Sequence, residues 1–152
     1  MFRIRSANGR DPLFLLKGRA MSWSISFNEQ KQFIELVLAD TNSGQDIRDA
    51  TKEGVALSKA RGVSRFLVDA SKMHITASLA DILDLPNRQY FDEGLDRNSR
   101  VAVVNPESDR SKEATQFYET ASVNRGWQVR TFSDRSDAED WLTAAGSAEE
   151  SP

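Results

Sequence analysis

The chain has 152 residues, no cysteine, one histidine (His74) and a formal net charge of −3. A chain of this length suits a single domain able to bury about two thirds of its unfolded surface. Without cysteine there is no disulfide, thiolate catalysis, iron–sulfur cluster or cysteine zinc site; a reducing cytoplasm fits, and no cofactor is expected.

Residues 1–20 carry Arg3, Arg5, Arg10, Lys17 and Arg19 against Asp11 alone. They read as a flexible basic leader, and their apolar piece, residues 13–16, is too short for a signal peptide or a membrane span. The other 15 basic and 22 acidic residues leave the remainder at −7, which argues against nucleic-acid binding. Residues 21–145 form the expected domain. Strict alternation of Trp23, Ile25 and Phe27 with Ser24 and Ser26 predicts a half-buried strand. After the polar connection 28–31, residues 33–39 predict an antiparallel partner with Ile34, Leu36 and Leu38 on one face.

Residues 40–44 are strand breakers and helix caps. Ile47, Ala50, Gly54 and Leu57 then fall on one helical stripe that ends at Gly62. The short apolar run 65–70 predicts a buried strand ending on Asp69, followed by a polar loop over 70–78. Leu79, Ile82 and Leu83 have helical spacing, and Pro86 begins a second helical piece that ends at Gly94, so that 77–94 is a helical pair. Residues 100–104 predict another buried strand, 105–109 a loop, and Ala114, Phe117 and Ala121 the inward face of a helix stopped by Gly126. Residues 127–132 predict the last strand. Ser133, or Ser136 with Glu139, would cap a final helix burying Ala138, Trp141, Leu142 and Ala145. Residues 146–152 lack large apolar side chains and read as a disordered tail.

The order describes an α/β fold with a mixed five-stranded sheet, begun by a hairpin and continued by strand–helix–strand crossovers, with four to five helices. Ligands in such sheets collect beyond the carboxyl ends of the parallel strands. That rule selects Asp69, Ser71, His74, Thr76 and Ser78 after one strand and Asn105 after the next as candidate binding residues. Ser71, His74 and Asp69 contain the parts of a hydrolytic triad, but their closeness in one loop supplies neither the base geometry nor an oxyanion hole. No catalytic set is therefore assigned. Tyr90 adjoins the Pro86 break, where the helical pair could cover an apolar cleft.

The run Phe66-Leu67-Val68-Asp69-Ala70-Ser71-Lys72-Met73-His74-Ile75-Thr76-Ala77-Ser78 resembles the central strand and switch loop of STAS domains. Ile82-Leu83-Asp84-Leu85-Pro86, Ser99-Arg100-Val101-Ala102-Val103-Val104, Phe117-Tyr118-Glu119-Thr120-Ala121, Asn124-Arg125-Gly126 and Ala138-Glu139-Asp140-Trp141-Leu142 resemble the bacterial SpoIIAA-like family grouped with STAS and CRAL-TRIO folds. The resemblance implies a STAS-like fold and no particular activity. In phospho-switch STAS proteins the loop reads Asp-Ser-Ser-Gly; here Ala77, Ser78 and Leu79 stand where Asp, Ser and Ser would, so only Ser78 matches and is the candidate phospho-site.

The leading expectation is a non-enzymatic cytoplasmic module that recognises a protein partner or small ligand at the loops after Asp69 and Val104. The alternative is a carrier of a small apolar, lipid-like ligand under the 77–94 helical pair, and a small serine hydrolase is a weaker one. The hairpin edge is a candidate homodimer surface, because unpaired strand edges invite pairing.

Overall fold

The computed structural model describes residues 22–144; the expected leader 1–20 and tail 146–152 lie outside the described residues. Strands β1 (Trp23–Asn28), β2 (Phe33–Asn42), β3 (Arg65–Ile75), β4 (Arg100–Val104) and β5 (Gln128–Phe132) form one sheet in that order. β1 pairs antiparallel with β2, and the other three pairings are parallel. Trp23, Ile25 and Phe27 lie opposite Leu38, Leu36 and Ile34, so the apolar sets of both hairpin strands meet on one face.

Helix α1 (Gly44–Arg61) links β2 to β3. Its start is a capping box: Ser43 Oγ accepts from Asp46 N at 3.1 Å, and Asp46 Oδ2 accepts from Ser43 N at 2.9 Å. Gly62 ends it in the left-handed region at φ 67°, a conformation that costs glycine little. Between β3 and β4 lie α2 (Leu79–Asp84), a π-helical turn (Leu85–Gln89) and α3 (Tyr90–Asp92). Pro86 explains that turn: it has no N–H, and its ring crowds the carbonyl four residues back, so the hydrogen-bond spacing widens and Tyr90 N donates to Leu85 O. The expected helical pair is thus one stretch with a π turn in its middle.

Helix α4 (Asp109–Asn124) links β4 to β5, and α5 (Arg135–Thr143) follows β5. Helices α1, α2 and α4 cover one face of the sheet over Ile34, Phe66, Val101 and Val103; α5 covers the other over Phe33, Leu67, Ala102 and Val104. Buried Arg100 donates from Nη1 to Trp141 O and Ala144 O at 3.1 and 3.2 Å, satisfying carbonyls at the end of α5.

Two expectations are corrected. β3 does not end at Asp69 but runs to Ile75, because β2 also continues past Ala39 to Asn42 and supplies a pairing edge. The cap of α5 is Asp134, whose side chain accepts from Asp137 N at 3.2 Å, not Ser133 or Ser136. On α2 only Ile82 is buried, whereas Leu79 and Leu83 are 56% and 37% exposed. Ala138 and Leu142 are fully buried as expected, and Ala145 lies outside the described residues.

Candidate functional site

The parallel pairing places the carboxyl ends of β2 to β5 on one rim, with Asp69 directly beside Val104. Beyond that point β2 and β3 continue alone, Ala39–Asn42 against Lys72–Ile75, after a bulge that puts one extra residue in β3. Ser71 and His74 therefore belong to a strand, not to a loop. Ser71 Oγ donates to Asp69 Oδ1 at 2.7 Å, and Ser71 N donates to the same oxygen at 3.1 Å. A triad would need the imidazole between those two groups. His74 instead sits exposed beside Thr41.

Other candidate rim residues also bond within the fold. Asn105 Oδ1 accepts from Thr115 Oγ1 at 2.7 Å, and Thr76 N and Oγ1 donate to Asn42 O at 2.9 and 3.3 Å. Ser78 caps α2 in a second capping box: its Oγ accepts from Asp81 N at 3.0 Å, and Asp81 Oδ2 accepts from Ser78 N at 3.1 Å. The Ser78 hydrogen bonds, backbone first, hold the Asp81 carboxyl below its ordinary range, with a smaller contribution from Arg48. A phosphate on Ser78 would add charge next to that carboxylate.

Asp69 turns toward α5. Arg135 makes a two-pronged bond to Glu35 at 2.7 and 3.0 Å, reaches Glu139 at 2.7 Å, and lies 3.7 Å from Asp69. Lys31 also bonds Glu139, at 2.6 Å. The Lys31 and Arg135 hydrogen bonds hold the Glu139 carboxyl below its usual range. This network fastens α5 across β2 and β3, and Asp69 forms part of it.

The opposite face contains the more unusual feature. Between the sheet and the helices lies a cavity of about 90 Å³. Its floor includes Leu36, Phe66 and Val103, and its roof includes Ile82, Leu85 and Tyr90. The space exists because small side chains face each other there: Ala50 and Gly54 from α1, Ala70 from β3 and Ala114 from α4. At Gly54 a Cβ would come within 3.0 Å of Leu36 Cδ1, so the glycine lets α1 approach the sheet closely. Tyr90 is buried, as a cleft at the Pro86 break would require, and its hydroxyl bonds that of Tyr118. Trp127 holds the roof in place. Its Nε1 donates to Pro86 O at 3.0 Å, and its ring meets Tyr90 edge-on, with centroids 5.3 Å apart.

No protein-family model matches the chain, and no curated protein matches it. Among the solved structures that do match is an uncharacterized protein of the DUF3478 family with a SpoIIAA-like fold, from Shewanella loihica PV-4, at 21% identity. The match covers 79% of this chain and 91% of that one, with a TM-score of 0.50. The fold is SpoIIAA-like. The mixed sheet of the SpoIIAA-like fold is the architecture the sequence motifs implied, and the likeness extends to the fold alone.

The sequence pointed to Tyr90 but not to the cavity partners Ala50, Gly54, Ala70, Ala114 and Tyr118. For Ala50, Gly54 and Ala114 the one signal was small residues recurring at inward helical positions. Among the described residues no helix is long and apolar enough to cross a membrane, and no group of acidic or imidazole side chains could hold a metal.

Proposed function

We propose that the protein is a non-enzymatic binding module that holds a small apolar ligand between its sheet and its α1–α2–α4 layer. The observation that carries this reading is the apolar cavity beneath a roof interrupted by a π turn. Leaving about 90 Å³ empty costs on the order of 2 kcal/mol in lost contacts, a cost that an occupant offsets. An apolar cavity of about 150 Å³ takes up benzene, so this space suits about four non-hydrogen atoms. A longer, lipid-like chain would require the stretch from Leu79 to Asp92 to lift. The polar rim supports partner recognition less, because Asp69, Ser71, Asn105 and Ser78 already bond within the fold.

Titration with isobutene, followed through methyl resonances, tests this. We expect saturable shifts at Ile82, Leu85, Val101 and Val103 with a dissociation constant on the order of millimolar, as such a small ligand allows. Ala50→Leu or Ala114→Leu, which fill the space, should abolish them. Shifts that do not saturate, or that survive both folded variants, would refute the reading.

A further inference from the structure

Apolar sites usually select their ligand through a few polar groups set in the lining. Four lining residues carry a hydroxyl: Thr51, Thr115, Tyr90 and Tyr118, of which Thr51 is half-buried on α1. Thr115 is already engaged, since its Oγ1 lies 2.7 Å from Asn105 Oδ1 and 2.9 Å from Lys112 O. The tyrosines are different.

Tyr90 and Tyr118 bond each other, and that bond uses one of their two protons. Ser122, one turn beyond Tyr118 on α4, is fully buried, and its Oγ forms no regular hydrogen bond among the described residues. It lies near enough to Tyr118 to ease that phenol's ionisation, yet burial still pushes Tyr118 up to about 12 and Tyr90 well above its ordinary value. Both phenols therefore keep their protons at neutral pH. Three hydroxyls in a row hold three protons and have at most two links between them, so one proton must find its acceptor outside the row. A donor left unmet in an apolar space is unfavourable.

We infer that the cavity selects a small carbonyl compound, an apolar frame of about four non-hydrogen atoms whose single oxygen accepts the spare proton of the Tyr90–Tyr118 pair. This inference rests on the cavity being a ligand site, and it adds the chemical class.

Acetone and isobutene have the same shape and differ in whether one end accepts a hydrogen bond. The test compares both probes on the wild type and on the double variant Tyr90→Phe/Tyr118→Phe. That variant removes both hydroxyls while keeping both rings, so no tyrosine is left without its partner. Acetone should bind the variant about five- to tenfold more weakly, the worth of one hydrogen bond, while isobutene changes by less than about twofold. Equal changes for the two probes, or none for acetone, would overturn the carbonyl assignment and leave the apolar site intact. Failure of isobutene to bind the wild type would overturn both.

Discussion

Replacing Trp127 with alanine should destabilise the protein by about 3–5 kcal/mol, measured as a lower urea midpoint with an unchanged slope. The side chain is 4% exposed and makes three kinds of contact at once. It packs edge-on against Tyr90, lies 5.0 Å between centroids from Phe91, and carries the Arg97 guanidinium 4.0 Å from its ring centroid. Its Nε1–H also supplies the hydrogen bond to Pro86 O at 3.0 Å. Truncation opens a void and leaves that carbonyl without its indole donor, so two costs add. Trp127→Phe separates them: it keeps most of the ring and should lose only about 1–2 kcal/mol, the cost of the missing donor. A loss below about 1 kcal/mol for Trp127→Ala, under the range for buried aromatic truncations, would show that Trp127 does not anchor the roof.

Leu67→Ala should cost about 3–4 kcal/mol, within the range for fully buried leucines. Leu67 has no exposed surface and lies on central β3 against Phe33, Ala102, Ala138 and Leu142. It faces α5, away from the cavity. The same variant should therefore bind isobutene as the wild type does under conditions where it stays folded. A large change in affinity would mean that the two faces of the sheet are coupled, contrary to the two separate clusters described above.

The two faces also differ in how far the sequence revealed them. β4 matches its expected bounds because Val101, Ala102, Val103 and Val104 are all buried, so an unbroken apolar run coincides with the strand. β3 was read too short. Its continuation alternates cleanly, with Met73 and Ile75 inward and Lys72 and His74 outward, but the bulge near Ala70 and Ser71 shifts the phase and hides the continuity. The helical spacing of Leu79, Ile82 and Leu83 marked α2 but not which of the three packs inward, and only Ile82 does.

Of the candidate site, Tyr90 was legible through its position beside Pro86. The cavity was not, since a void depends on how small side chains from three distant segments meet. Alanine and glycine at inward positions are equally compatible with close packing. The bonds of the rim residues to Thr115, Arg135 and Asp81 depend on tertiary geometry that no local spacing records.

Diffraction from crystals of the protein under xenon pressure tests the central claim most directly, because xenon enters apolar cavities and reports their position without relying on any particular ligand chemistry. The account predicts a strong xenon peak enclosed by Leu36, Phe66, Ile82 and Tyr90, lost in Ala50→Leu. A filled, collapsed space at that position, with xenon absent from it, would contradict the account.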